Sequence, residues 1–174
     1  MNVYKTKECA ILPTYATRGS ACFDISAAFV TGEKIQAYNT VNRKVDILTK
    51  EIEGEPAFLL HPGQRAMVPT GLIFDIPDHH VMKMFIRSSA AAKKGLALSN
   101  GVGIIDCDYV EETHILLHNI SDSLCRIHNG ERLAQCMIEP IHQHIPEFVS
   151  ERPGQKTDRD GGIGSTGDRK LKRS

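Results

Sequence analysis

The sequence predicts an all-β fold, in the form of a sandwich, a barrel or a jelly roll, with one short helix. Many short runs of β-forming residues are separated by turns that contain Pro, Gly, Asn or Asp, which is typical of all-β domains. Only one segment has both the composition and the end signals of a helix. The 174 residues suffice for one domain with a substantial core and are too few for two of ordinary size.

Composition restricts the class of protein further. The formal net charge of +0 does not favour a general nucleic-acid or anionic-membrane surface. The five cysteines form no C-x-x-C pair, and several lie in apolar runs, so we expect buried free thiols in a reducing compartment. Neither a signal peptide nor an apolar run long enough to cross a bilayer is visible, and we therefore expect a cytoplasmic protein with no membrane partner.

The predicted strands begin at residues 3–12, closed by Pro13, and small and hydroxyl residues then lead into a short strand near Asp24. Residues 33–58 alternate weakly and carry many charges, and we interpret them as a surface hairpin or a flexible insertion. The other strands are predicted at residues 58–60, 66–71, 72–76, 81–86, 104–108, 113–119, 124–127, 133–138 and 146–149.

The helix is predicted over residues 88–95. Ser88 stands at an N-cap position, three Ala follow, and Gly95 stands where a helix commonly ends. A strand delivers Arg87 to the start of this helix, where its guanidinium joins free backbone N–H groups. This arrangement favours an anion site suited to phosphate, and a capped surface helix with a salt-bridged Arg87 is the alternative.

Residues 100–109 begin with a turn and become strongly β-forming. Gly101 and Gly103 allow the backbone to approach another group closely, and Asp106 and Asp108 precede Tyr109. We interpret this segment as a hairpin that holds a flat ligand with its main chain and presents an acid or base to it. A carboxylate beside a phosphate can activate water, whereas a turn-stabilising aspartate is the alternative. The two carboxylates share a face in an ideal strand, so spacing does not select between them.

Residues 150–174 are rich in Gly and charged residues, which predicts a flexible arm after a domain of residues 1–149. Residues 161–167 combine glycines with two hydroxyls and suit either a phosphate-wrapping loop or a flexible linker. The role of the basic tail, residues 168–174, is not predicted. The histidines at 79, 80, 142 and 144 are interpreted as surface residues, because no further metal ligands accompany them.

Together, five segments resemble, in the same order, the motifs of the trimeric all-β dUTP pyrophosphatases (dUTPases). They are residues 13–24, 87–89 with the helix, 100–109, 130–135 and 161–167. The resemblance implies a jelly-roll-like distorted barrel and a homotrimer with active sites built from several subunits. It also implies hydrolysis of dUTP to dUMP and pyrophosphate, with Mg²⁺ held by the triphosphate and water rather than directly by the protein.

The resemblance further implies roles for individual residues. Asp106 would activate the water that attacks the α-phosphorus, Tyr109 would pack on the deoxyribose and exclude a 2′-hydroxyl, and Asp24 would be structural or would contact the metal through water. The predicted base-reading group is Asn100, Gly103, Ile104, Ile105 and His114. The predicted phosphate group is Arg87, Ser88 and Ser89, supported by Gln135. The arm residues predicted to close over a neighbouring subunit's nucleotide are Arg159, Ile163, Gly164, Ser165 and Thr166.

The chain departs from the family pattern at a few positions. Cys22 and Glu111 stand where the family has glycines, Ile163 replaces an aromatic residue, and Arg159 is shifted by one position. Two alternatives belong to the same fold. A dCTP deaminase would need a glutamate on the strand where this chain has residues 115–119, and a non-enzymatic trimer would regulate a partner through nucleotide binding.

Overall fold

The computed structural model describes residues 1–158, which contain fourteen strands and one seven-residue helix. This confirms the predicted all-β class. The strands are β1 (Asn2–Lys5), β2 (Phe23–Ser26), β3 (Lys34–Tyr38), β4 (Lys44–Leu48), β5 (Lys50–Ile52), β6 (Glu55–Leu60), β7 (Arg65–Pro69), β8 (Leu72–Asp75), β9 (His80–Ile86), β10 (Leu96–Leu98), β11 (Gly103–Asp106), β12 (His114–Asn119), β13 (Cys125–His128) and β14 (Arg132–Pro140). The helix, α1 (Ser88–Lys94), lies between β9 and β10.

The described strands pair antiparallel in four sheets. The largest has the order β10-β12-β7-β3-β4, and a four-stranded sheet has the order β11-β9-β14-β2. A three-stranded sheet, β13-β6-β5, and the pair β1-β8 complete the set. Strands of all four sheets contribute side chains to one apolar core.

The core follows the two-residue period of the strands. In β12, Ile115 and Leu117 are fully buried, while the alternate residues His114, Leu116 and His118 are partly exposed. Because the chain has no Trp, its phenylalanines supply the large rings of the core. Phe29 meets Phe58 edge to face at 5.4 Å between ring centroids, and burial of each such side chain contributes about 1.5–3 kcal/mol.

Some element boundaries differ from the sequence-based expectation. The first strand is shorter than predicted, because the chain turns after Lys5, and Ala10 N donates to Lys7 O at 3.0 Å within this turn. No strand forms over residues 146–149, where Phe148 is fully exposed and its apolar neighbours have no sheet to join. The three-residue strand β10 was not predicted.

Residues 33–58 are an integral part of the fold rather than a flexible insertion. The predicted hairpin is confirmed, because β3 and β4 pair from Lys34↔Leu48 to Tyr38↔Lys44. However, β3 also pairs with β7 and buries Ile35 and Ala37, and β6 buries Phe58. These segments therefore contribute to the core as well as to the surface.

The chain divides into two units, Met1–His142 and Gln143–Ser174. All helices and strands of the described residues lie in the first unit, and residues 143–158 of the second have no regular secondary structure. Within residues 1–158, α1 is too short to cross a membrane.

All five cysteines are free thiols, as predicted, although only Cys125 and Cys136 are fully buried. Burial raises the pKa of the Cys136 thiol, so this group stays protonated at neutral pH and behaves as a small apolar side chain.

Asn119, at the end of β12, is a buried polar residue with a complete set of partners. Its amide nitrogen donates to Leu60 O at 2.9 Å and to Ser123 O at 2.8 Å. Its side-chain oxygen accepts from both the backbone N and the hydroxyl of Ser121. One side chain thus joins β6, β12 and the turn that precedes β13.

Replacing Asn119 with Ala would remove all four of these hydrogen bonds, including the buried one to Leu60 O. We expect Asn119→Ala to lower the free energy of unfolding by about 3 kcal/mol. Urea denaturation followed by circular dichroism measures the change. The matched control is Asp122→Ala in the same turn, where the side chain is exposed and the effect should stay within about 0.5 kcal/mol. Equal stability of the two variants would contradict the assignment.

Candidate active site

A cavity of about 290 Å³ lies between β11 of the four-stranded sheet and β12 of the five-stranded sheet. All seven residues predicted to serve the base, the sugar and the water line it: Asn100, Gly103, Ile104, Ile105, Asp106, Tyr109 and His114. The remaining wall is formed by Met67, Met84, Thr113 and Leu116. The structure therefore brings together all the residues predicted to contact the base, the sugar and the attacking water.

Residues 100–109 do not form the predicted hairpin. β11 pairs with β9, from Gly103↔Met84 to Asp106↔Val81, whereas β12 pairs with β7 and β10. The segment instead crosses from one sheet to the other, and the cavity lies along this crossing. The predicted close backbone approach is confirmed at Gly103, because a Cβ built there would lie 3.0 Å from Met84 Cβ.

The structure distinguishes the two carboxylates that spacing left equivalent. β11 ends at Asp106, and a turn follows in which Tyr109 N donates to Asp106 O at 3.2 Å. Asp106 therefore shares the exposed face of β11 with Ile104 rather than with Asp108. Asp106 lines the cavity, and Asp108 does not.

The carbonyl of Glu112 orients two side chains of the cavity. Tyr109 Oη donates to Glu112 O at 3.2 Å, and His114 Nδ1 lies 2.9 Å from the same oxygen. Because a carbonyl only accepts, the imidazole contact requires the hydrogen on Nδ1 and leaves Nε2 of neutral His114 as an acceptor. Thr113 Oγ1 is buried at the wall and has no hydrogen-bond partner within residues 1–158.

The predicted phosphate residues form a second cluster. Arg87 Nε donates to Asp24 Oδ1 at 2.9 Å, and Arg132 donates to Asp24 Oδ2 at 3.0 Å. Arg87 also donates to Ser89 Oγ at 3.4 Å, and Gln135 Nε2 donates to Ile86 O at 3.5 Å. The salt bridge that the alternative prediction gave to Arg87 is thus present. The Asp24 carboxylate holds the guanidinium groups of Arg87 and Arg132 side by side.

The start of the helix differs from the prediction. Arg87, and not Ser88, occupies the N-cap position, with an extended backbone and no side-chain cap. Ser88 is the first helical residue and is exposed. The predicted end is confirmed, because Gly95 adopts a left-handed conformation and donates to the last turn.

The two clusters lie at opposite ends of β9. Asp106 is opposite Val81, and Arg87 follows the last residue of the strand. Six residues of extended chain span about 20 Å. In one chain, the backbones of Asp106 and Arg87 therefore lie about 20 Å apart along β9.

Sequence reasoning missed Arg132 and Glu112. Arg132 lies inside the predicted segment 130–135, and its charge beside Gln135 was the available signal. Glu112 carries no such signal, because its contacts depend on the fold. The predicted arm residues Arg159, Ile163, Gly164, Ser165 and Thr166 lie outside the described residues.

Comparison with known proteins gives consistent results. A family model for dUTPase matches residues 51–167. The chain is 36% identical to a deoxyuridine 5′-triphosphate nucleotidohydrolase of Brucella melitensis over 90% of this chain and 84% of that protein. It is 33% identical to the protein of the same name from Rhizobium leguminosarum bv. trifolii, over 90% of this chain and 85% of that one.

Solved structures show the same fold. The dUTPase from Streptococcus mutans superposes with a TM-score of 0.63 at 24% identity, over 84% of this chain and all (100%) of that chain. The Staphylococcus bacteriophage 80alpha dUTPase, solved with dUPNHPP, superposes with a TM-score of 0.70 at 20% identity, over 95% of this chain and 97% of that chain.

The close packing of β11 on β9 can be tested at Gly103. In Gly103→Ala, the new methyl group meets Met84 Cβ at 3.0 Å, a tight contact that Met84 must relieve by moving slightly away. We expect a loss of about 1–3 kcal/mol in the free energy of unfolding, measured by urea denaturation. Gly19→Ala is the control, because nothing lies within 4 Å of the new methyl group. A Gly103→Ala protein as stable as the control would show that the two strands are not packed so closely.

Proposed function

The chain belongs to the dUTPase family, and we infer from this membership that it hydrolyses dUTP to dUMP and pyrophosphate. The reaction would limit uracil incorporation into DNA and supply dUMP. The observation that carries the inference at the level of the site is the single cavity lined by all seven residues predicted for base, sugar and water.

We propose that Asp106 orients and deprotonates the water that attacks the α-phosphorus. A carboxylate at the end of a strand, on its exposed face, is fixed by the backbone and remains open to water and substrate. Attack on the α-phosphorus breaks its bond to the bridging oxygen, so pyrophosphate leaves and the water's oxygen stays on dUMP.

We propose that the main chain near Gly103, Ile104 and Ile105, with Asn100 and the start of β12 at His114, recognises uracil. Uracil and cytosine exchange donor and acceptor at the exocyclic position and at the adjacent ring nitrogen. A fixed set of backbone groups therefore leaves buried groups unpaired when the wrong base binds, which gives strong discrimination. Tyr109 would pack on the deoxyribose.

The phosphates are proposed to bind at Arg87, Ser88 and Ser89, with Gln135 as support and Arg132 as an additional cation. Two guanidinium groups face one carboxylate, Asp24, so the cluster has an excess of positive charge that suits an anion. The arm residues are proposed to close over the nucleotide of a neighbouring subunit.

Enzymes of this family generally use a divalent metal, and we propose Mg²⁺ for this chain. Within residues 1–158, no group of three or more His, Cys, Asp or Glu side chains is arranged to hold a metal ion. Mg²⁺ retains waters and binds substrate phosphates, so the triphosphate and water can hold it without a dedicated set of protein ligands. Asp24 is the residue proposed to contact it through water. When bound, the ion would neutralise charge on the phosphate oxygens.

We propose a homotrimer in which each active site combines the two clusters from different subunits. The separation of about 20 Å along β9 supports this, since a site that uses both Asp106 and Arg87 is built over a shorter distance by two subunits than by one. The free thiols support the proposed cytoplasmic location. A dCTP deaminase is not favoured, because Ile115 and Leu117 of β12 are buried and apolar, and no carboxylate lies between His114 and Asn119.

Substitution of the two neighbouring aspartates tests the mechanism. We expect Asp106→Asn to lower the turnover of dUTP about 10²–10⁴-fold, because the amide cannot accept the water's proton. Release of pyrophosphate measures this directly. Asp108→Asn is the matched control and should keep nearly full activity, because Asp108 does not line the cavity. Equal turnover by wild type and Asp106→Asn would exclude the proposed role.

Subunit mixing tests the shared site. Chains with Asp106→Asn and chains with Arg87→Ala should each be impaired, and trimers that contain both should regain activity. Random assembly would leave roughly one quarter of the sites with both residues intact. Mixing the doubly substituted chain with Asp106→Asn is the control and should restore nothing. Failure of verified mixed trimers to regain activity would place both residues of a site in the same chain.

A further inference from the structure

Glu112 is held by contacts that are distant in sequence. Its Oε1 accepts a hydrogen bond from Gly71 N at 2.8 Å, and its Oε2 lies 3.4 Å from Thr6 Oγ1, which donates to it. Hydrogen bonds to an ionised acceptor are stronger than those between neutral groups. The carboxylate therefore fastens this part of the chain to the turn between β7 and β8.

The next residue strengthens the attachment. Thr113 N donates to Leu72 O at 2.9 Å, and Thr70 Oγ1 donates to Thr113 O at 2.6 Å. Residues 112 and 113 thus have a fixed position at the entry of β12. The attachment holds the C-terminal end of the loop that carries Tyr109.

From this fixed position, the Glu112 carbonyl contacts two side chains of the cavity. It accepts from the Tyr109 phenol at 3.2 Å and lies 2.9 Å from His114 Nδ1. Tyr109 has no other side-chain hydrogen bond among the contacts described for residues 1–158. The position of its ring therefore depends on where this carbonyl lies.

We propose that Glu112 is a positioning residue that sets the preference for deoxyribose over ribose. The inference rests on the proposed function, in which Tyr109 packs on the sugar. Excluding one hydroxyl requires a ring that cannot retreat, and small displacements of a positioned group have large effects. The carboxylate fixes the carbonyl, the carbonyl fixes the phenol, and the ring then leaves no room for a 2′-hydroxyl.

The test compares kcat/KM for dUTP and for UTP in Glu112→Ala and Glu112→Gln. We expect Glu112→Ala to raise the UTP-to-dUTP ratio by about tenfold or more, because the loop loses the two side-chain attachments that lie nearest to Tyr109 and keeps only those of Thr113. Glu112→Gln should keep the ratio within about threefold of wild type, since its amide oxygen still accepts from Gly71 N. Thermal unfolding of each variant separates a change in stability from a change in selectivity.

Glu111→Ala is the matched control. Glu111 is the adjacent carboxylate, is exposed, and has no hydrogen bond or ion pair among those described for residues 1–158. Its substitution should leave the ratio unchanged. A Glu112→Ala protein in which dUTP and UTP turnover fall equally would overturn the inference and leave only a structural role.

A failure of the proposed function would give a different result from a failure of the positioning role. If the wild type releases no pyrophosphate from dUTP, calorimetric binding of dUTP and UTP replaces turnover as the measurement. Tighter binding of dUTP by wild type, relaxed in Glu112→Ala, would then support the positioning role in a protein without the activity. Binding of neither nucleotide would overturn both proposals.

Discussion

The pairing of β9 along both of its edges is the constraint on which both functional clusters depend. β11 pairs with one edge and β14 with the other, so the register of three strands is fixed together. A slip of one residue would turn every side chain of β9 to the opposite face and would remove Met82 and Met84 from the core. Burial of these side chains thus determines where Asp106 and Arg87 lie.

The cluster proposed to bind phosphate shows how two positive side chains are kept side by side. Arg87 and Arg132 would repel each other if no anion lay between them. Asp24 accepts from both, and the neighbouring β14 is fixed to β2 by the pairing of Gln135 with Asp24. The two guanidinium groups are therefore organised by the sheet and by one counterion.

The sequence predicted those parts of the fold that local pattern controls. The alternating residues of β9, β12 and β14 identified these strands, and Gly95 marked the end of the helix. β10 was missed because three residues are too few to reveal a period. The hairpin was wrong because pattern does not say which strand becomes the neighbour of β11.

Site residues were predictable to different degrees, because local pattern does not show which distant segments come into contact. Spacing identified a segment with two carboxylates, and the family resemblance selected Asp106. Glu112 could not be predicted as a site residue, because its contact with Gly71 joins positions that are 41 residues apart in sequence. The sequence showed that Arg132 is charged, but it did not show that Arg132 pairs with Asp24, which lies 108 positions away.

Gly71 has a structural importance beyond its place in the turn between β7 and β8. Its φ of +67° disfavours any side chain, and an added Cβ would lie 2.6 Å from Ala10 Cβ. The backbone N–H of Gly71 also donates the hydrogen bond that Glu112 Oε1 accepts. Under the role proposed for Glu112, a genetic screen for variants that admit ribonucleotides would therefore recover changes at Gly71, a position outside the residues that line the cavity.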